Sequence, residues 1–366
     1  MSITIKQIAE LAGVSRSAVD KVLHNRPGIS PEVRERVTRI ATEHHYVPNQ
    51  FARALSTIRN PLIFAIIIPN PNRAVFFKML KNGMNAAAQP LKAYGVSLEF
   101  YYTDGFNEEN IKPVLSYLKK KEVHGIAIRF KDDDLIQQAI DSLTEEGVTV
   151  ITFDSDIPNS KRLCFVGEDN YQIGKMAAEL LAKCTNSEGK VAMITGSNQI
   201  RAHQLRAKGF KEALSEVYPR MTPLDPIETL EQDIIEYQET KKLLSEHPDI
   251  TGIFIVAGRL KKIIQAIEES GIQKKISIVV CDYIQESSPY VKRGIVDFAI
   301  GLSPFQEGCI VIETLFEAVH NSKKDIEPFI KTPASIYIKE NIEEFDDVSL
   351  TKREEPIKHA TDSLQH

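Results

Sequence analysis

Four cysteines in 366 residues, none in a CxxC pair and none at metal-ligand spacing, exclude a disulfide framework or a zinc site as the basis of the fold. Cys164, Cys184, Cys281 and Cys309 read instead as small core residues in a reducing compartment. Long apolar runs are lacking too. The longest, residues 62–68, is far short of the ~18 residues that a membrane span needs. The opening MSITIKQIAE has no apolar segment behind a basic start, so no secretion signal is expected and the predicted location is cytoplasmic. Catalytic strings are missing as well: there is no GxSxG, Walker A loop, GxGxxG or HExxH. Asp132 and Asp134 read as the charged start of a helix. No catalytic residue, metal or cofactor is expected.

What is present is the composition of a globular protein, 42% apolar and 26% charged, in a chain too long for one ordinary core. The net charge of −5 hides an asymmetry. Residues 1–60 hold nine Lys/Arg against five Asp/Glu, so a basic head precedes an acidic body. That pattern suggests that only the head meets nucleic acid.

The head has its own punctuation. Thr4 and Gln7 form a capping-box start, followed by Ile5, Ile8, Ala9 and Ala12 on one helical face. Gly13 permits a tight turn, and Ser15 can cap a second helix from Arg16 to about Leu23. Asn25, Pro27 and Gly28 stop that helix. Ser30 and Pro31 open a third, with Val33, Val37 and Ile40 inward and Arg34, Arg36 and Arg39 outward. Two short helices across a glycine turn, followed by a third, make a helix-turn-helix unit, whose second helix enters the major groove of DNA. Arg16, Ser17, Asp20 and Lys21 on that helix have no apolar duty. Arg16 and Lys21 can donate to guanine, and Ser17 to either base type. The same spacing also fits the solvated face of a small three-helix bundle.

The string ITIKQIAELAGVSRSAVDKVLHNRPGISPEVRERV, followed by HHYVPNQFARAL, resembles the N-terminal domain of the LacI/GalR family of repressors without a gap from Ile3 to Leu55. The resemblance implies that Arg16, Ser17 and Lys21 take base-reading positions, with Ser15 and Asn25 as phosphate or capping partners. Ala18 and Asp20 stand where the family usually has Thr and Ser. An acid so near phosphates costs affinity unless it meets a cytosine amino group or pairs with Lys21. An unusual operator half-site is therefore expected.

Tyr46, Val47, Pro48 and Asn49 end the head, and Asn49 can cap a segment of about seven residues, 50–56. Isolated helices below ~12 residues are marginal in water, so this one should form only against a partner. In the resembled family two such hinge helices pair in the minor groove. Leu55 stands where that family wedges a leucine between base pairs, kinking the duplex. An ordinary interdomain linker is the alternative.

From Leu62 onward strand-like apolar runs alternate with amphipathic helices: residues 62–68, 96–102, 125–130, 148–153, 190–195, 250–256, 276–282 and 296–301. Strands apolar on both faces and separated by helices predict doubly wound parallel sheets, here in two lobes. Ligands in such sheets bind beyond the carboxyl ends of the strands. Phe76, Phe77, Arg129, Asp154 and Arg206 follow or end strands there, as does Asp282. Carboxylates and Arg forks for hydroxyls, with aromatic rings for C–H faces, suit a sugar or polyol. Taken singly, Asp154 or Asp282 could cap a helix and Phe77 could be core.

This stretch resembles the periplasmic sugar-binding-protein fold (type 1) that the same family uses for its effector, in its ribose-binding-like subgroup. FFKMLKNGMNAAA, TFDSDIP, FVGEDNYQIGKMAAELL, RAKGF and IVVCDY carry the resemblance. It places Phe76, Phe77, Asp154, Arg206 and Asp282 at sugar contacts. Ala257 and Gly258 replace an Asn–Asp pair, and Leu302 replaces a Gln, which argues against ribose itself. His203 in IRAHQLRAKGF reads as an exposed turn histidine, with a place in the cleft as the alternative. The expected plan is a helix-turn-helix domain over 1–48, a hinge over 49–60, a two-lobed α/β effector and dimerisation domain over 61–345, and a disordered tail over 346–366. The function expected is a homodimeric repressor of carbohydrate-utilisation genes, bound to double-stranded operator DNA and switched by a small sugar-like effector. A binding protein or enzyme of the same fold, without a regulatory role, is the alternative.

Overall fold

A computed structural model of the chain describes residues 5–23, 28–44, 61–72, 74–103, 108–230, 232–257, 260–272, 275–320 and 325–342. The chain separates into two compact units, the second beginning at Ile63.

The first unit holds α1 (Ile5–Ala12), α2 (Arg16–Leu23) and α3 (Pro31–Glu43). Gly13 joins the first two in the left-handed region at φ 63°, which an L side chain rarely adopts. Ser15 caps α2 as its position predicts, its Oγ accepting from the Ala18 N–H at 3.1 Å. Ser30 does the same for α3 through Val33, with Pro31 at the first helical position. Ile8, Ala9, Ala12, Val19, Val22 and Val37 close the small core between the three helices. The capping residue expected for α1, Thr4, lies outside the described residues, as does the whole stretch 45–60 with its expected hinge helix.

The second unit is two parallel sheets with helices packed on them. The first lobe contains β1 (Leu62–Pro69), α4 (Val75–Leu91), β2 (Val96–Thr103), α5 (Glu108–Lys120), β3 (Gly125–Ile128), α6 (Asp134–Glu145), β4 (Thr149–Phe153) and β5 (Cys164–Gly167). The second lobe runs through α7 (Asn170–Cys184), β6 (Gly189–Thr195), α8 (Arg201–Val217), β7 (Met221–Pro223), β8 (Ile227–Glu228) and α9 (Asp233–Glu246). It continues with β9 (Gly252–Ile255), α10 (Leu260–Glu268), β10 (Ser277–Tyr283), α11 (Ile284–Lys292) and β11 (Phe298–Leu302). The chain then returns: α12 (Pro304–His320) packs on β3 to β5, and β12 (Phe329–Lys331) pairs with β5. Finally β13 (Ser335–Tyr337) joins β11, antiparallel to it. The sheet orders are β12-β5-β4-β3-β1-β2 and β13-β11-β10-β9-β6-β7, with β8 beside β6. The backbone thus passes between lobes three times, after β5, after β11 and after β12.

The strands form where every side chain can be buried. The residues of β3, β4, β5 and β9 are buried throughout, as sheets covered on both faces require. Asp133 starts α6 by accepting from the Ile136 N–H, the role expected of that acidic run. The short strands β5, β7, β8, β12 and β13 lie outside the apolar runs that the sequence shows, so nothing marks them there. Among the described residues no helix is long and apolar enough to cross a membrane.

In each lobe two helices touch through glycine. A Cβ on Gly83 or Gly308 would stand 1.9 or 2.2 Å from a backbone oxygen of the facing helix, where α4 meets α12. Gly174 and Gly209 do the same for α7 and α8, at 2.0 and 2.1 Å. Backbone cannot yield as a flexible side chain does, so the helices would have to part. Gly174→Ala should therefore lower the stability of the second unit by about 1–3 kcal/mol in chemical denaturation. An unchanged midpoint would show that the contact is looser than these distances state.

Candidate functional site

On the head, Arg16 and Ser17 are exposed in the first turn of α2, and Lys21 is half-buried one turn on. These three share the helix that Ser15 and Gly13 orient. Ser15 Oγ caps the helix, one of the two roles expected for it, and its hydroxyl hydrogen stays available to donate to a phosphate, the other role. Asn25, Asn49 and Leu55 lie outside the described residues, and so does the side chain of Asp20.

In the second unit, strand register brings the first four expected residues together. β3 and β4 are parallel neighbours with Ile128 opposite Thr152, so the residues just past their carboxyl ends, Arg129 and Asp154, meet. Arg129 Nε lies 2.7 Å from Asp154 Oδ2, and both side chains are under a tenth exposed. Asp154 sits at φ 58°. Its N–H donates both to Val166 O at 3.1 Å and to Glu307 Oε1 at 2.7 Å. The Arg129 guanidinium also lies over the Phe77 ring, 5.3 Å from its centroid. Phe76 meets Phe77 edge-on at 5.4 Å and packs against the apolar cluster of the other lobe.

The second lobe supplies Arg206, 3% exposed on α8. Its Nε donates to Asn170 Oδ1 at 2.7 Å and its Nη1 to Val256 O at 3.1 Å. The α7–α8 glycine contact sets this distance, since Gly174 faces the Arg206 carbonyl. Asp282 occupies its strand position opposite Gly301, but its side chain lies outside the described residues. Leu302 is buried, an apolar wall where the resembled subgroup places an amide.

The lobes touch across the cleft. Asp132 and Arg201 pair at 3.5 Å, the Ala202 N–H approaches Ser155 Oγ at 3.5 Å, and the Val75 N–H donates to Glu286 Oε1 at 3.2 Å. His203 is a correction. It is not an exposed turn residue: it sits inside α8, 6% exposed, with Nδ1 3.2 Å from the Ser197 backbone. Burial and the nearby Arg206 and Arg129 charges push its pKa well down, so its imidazole is neutral. Asp156, close behind Asp154, faces away from this set. It is committed to a two-pronged contact with Arg162 at 2.5 and 2.6 Å and accepts from Thr152 Oγ1. Asn170, Glu168 and Glu307 belong to the buried polar cluster although no sequence signal marks them. Asn170 and Glu168 sit in the GEDN string, where acids and amides ordinarily start a helix at the surface.

Comparison with known proteins places both units. Residues 64–323 match the family described as periplasmic binding protein domain. Residues 4–49 match bacterial regulatory proteins, lacI family. Similar chains include the HTH-type transcriptional regulator MalR of Clostridium butyricum, 25% identical over 304 residues, covering 78% of this chain and 84% of the relative. The ribose operon repressor of Haemophilus influenzae is 25% identical over 339 residues, 91% of this chain and 97% of the relative. Among solved structures, the glucose-galactose binding protein GanP of Geobacillus stearothermophilus covers 77% of this chain and 99% of its own at a TM-score of 0.71 and 23% identity. A solute binding protein of Burkholderia graminis in complex with D-arabinose covers 78% and 97% at 0.70 and 23%. At such identity these two establish the fold alone, which is the two-lobed α/β fold expected. Head and body together decide the family: this chain belongs to the lacI family of bacterial regulatory proteins, with a helix-turn-helix DNA-binding domain followed by a periplasmic binding protein domain.

Proposed function

We propose that the chain is a repressor of carbohydrate-utilisation genes whose hold on operator DNA is switched by a sugar or polyol bound between the two lobes. The observation that carries this reading is the buried polar set at the carboxyl ends of the strands. Arg129 and Asp154 pair in one lobe, with the Phe77 ring against Arg129 and Phe76 edge-on to Phe77, and Arg206 is buried in the other lobe. The chain bearing them begins with a helix-turn-helix. In the proposed assignment Arg16, Ser17 and Lys21 meet the operator, with Asn25, Asn49 and Leu55 as further DNA contacts. Phe76, Phe77, Arg129, Asp154, Arg206 and Asp282 take the effector. Leu302 and Ala257 favour an effector with fewer polar contacts on the second lobe than ribose would make.

The proposed assembly is a cytoplasmic homodimer on a pseudo-palindromic operator, one recognition helix per half-site. The proposed boundaries are a head over 1–48, a hinge over 49–60, an effector and dimerisation domain over 61–345 and a tail over 346–366. Catalysis has no part in it. The two lobes convey effector occupancy to the hinge pair, so effector and operator affinities are coupled reciprocally, typically by ~1–3 kcal/mol.

Two measurements test the halves separately. Thermal-shift screening of the full chain against D-ribose, D-arabinose, D-glucose and D-galactose should give at least one stabilising sugar. Arg206→Ala should lose that shift and still bind operator DNA in a fluorescence-anisotropy titration. A shift that survives in Arg206→Ala removes Arg206 from the effector site. Lys21→Ala should weaken operator binding by about 1–3 kcal/mol with loss of specificity at one base pair if it reads a base. If it meets a phosphate, it should lower the salt slope by about one. Operator binding unchanged by Lys21→Ala would take that residue out of the DNA contact.

A further inference from the structure

Each of the three passages between the lobes carries a buried polar side chain. Glu168 lies on the first, between β5 and α7. Glu307 is in the first turn of α12, just past the second. Thr332 follows β12 on the third. They are 1%, 0% and 0% exposed. Among the described residues, both carboxyl oxygens of Glu168, Oε2 of Glu307 and the Thr332 hydroxyl lack a hydrogen bond of good geometry. The Thr332 hydroxyl and the backbone of Glu168 lie near enough to the Glu168 carboxyl to favour its ionised form slightly, less than burial opposes it. Glu307 Oε1 accepts from the Asp154 N–H, a bond that a protonated carboxyl can still make but that favours the ionised form, against the larger effect of burial.

The charges around this joint do not balance if every acid is ionised. Arg206 on α8 and Asp154 at the end of β4 face Glu168. Glu168, Asp154 and the Arg129 guanidinium at the end of β3 face Glu307. His203, the remaining titratable group on this side of α8, is neutral. Among the described residues, two guanidinium groups therefore meet three carboxyls. Arg129 is engaged with Asp154, and Arg206 spends two of its donors on Asn170 and a carbonyl. Like charges sharing a dry site cannot all ionise. Burial, opposed by Arg206, pushes the Glu168 carboxyl up to about 7. Burial and the facing Glu168 and Asp154 drive Glu307 well above the ordinary carboxyl range.

We propose that Glu168 and Glu307 form a proton site at the joint between the lobes: the closed joint holds at least one proton on the pair, and parting of the lobes, which wets the crossings, releases it. Lower pH then favours the closed cleft. An effector that closes the lobes takes up a proton as it binds. That last link rests on the function proposed above; the proton site itself does not.

The sign of the pH effect follows from the raised carboxyls. A carboxyl with a higher pKa folded than unfolded supports the fold while protonated. That support is complete below the ordinary 4.5 and is lost as pH rises through about 7. The unfolding midpoint of the second unit in the full chain should fall on the order of 5 °C between pH 5 and pH 8.5. Glu168→Gln should unfold at a higher temperature than the wild type at pH 8.5 and flatten the slope, the remainder belonging to Glu307. Parallel midpoint profiles for the two, or a Glu168→Gln protein that unfolds earlier at pH 8.5, would overturn the proposal, the latter by showing Glu168 to be the ionised counter-charge of Arg206.

If Glu168→Gln does not fold, infrared spectra of the wild type decide. Part of the carbonyl band of protonated carboxylic acids should be present at pH 6 and gone at pH 9; no change in that band sinks the idea. Hydrogen exchange of residues 167–170 and 302–307, corrected for intrinsic rate, should quicken from pH 6 to pH 8.5. Equal protection at both would refute the coupling to the joint. None of these readouts needs a sugar, so a failed sugar screen would count against the effector assignment and leave this titration to stand or fall alone.

Discussion

A guanidinium and a carboxylate removed from water each lose several kcal/mol of hydration, which mutual attraction restores only when the geometry is good and the remaining donors and acceptors are used. The Arg129–Asp154 pair meets that condition because the fold prepares both ends. Two parallel strands in register deliver the side chains, Glu307 and Val166 hold the Asp154 amide, and the Phe77 ring lies under the guanidinium. Most other features of the cleft are arranged around this pair. Beside it Asp154 takes a left-handed backbone, α12 packs on β3 to β5, and among the described residues the neighbouring acids outnumber the cations.

Much of the plan is legible in the sequence, and the reason is local. β1, β3, β4 and β9 announce themselves because a strand covered on both faces needs apolar residues at consecutive positions. The start of α2 is legible in Ser15 because a cap is decided within four residues. Arg129 and Asp154 can be picked out because they stand just past the ends of parallel strands, whereas Arg206, inside α8, is marked by the RAKGF resemblance. The resemblance to a known family carried more weight for the head than any spacing did.

What stays hidden depends on contacts distant in the chain. Glu168 and Glu307 each look like a helix-start acid at the surface. Their burial comes from two lobes whose residues are 139 positions apart at this point. His203 reads as a turn residue because its neighbours are polar. It is buried inside α8 against the Ser197 backbone and near Arg206 and Arg129, contacts that its neighbours in sequence do not announce. Asp156 looks equivalent to Asp154 two residues earlier, yet Arg162 claims it, a distinction that rests on which way a five-residue loop folds.

The paired glycines have a mechanical consequence. Where helices interlock backbone to backbone they cannot slide past each other, so α4 with α12 and α7 with α8 each make a stiff plate within their lobe. Any bending must then gather in the three narrow straps of chain that bind the plates together. A fold with so few compliant points converts a small molecule's grip into a rotation of defined axis, rather than scattering that work as general loosening.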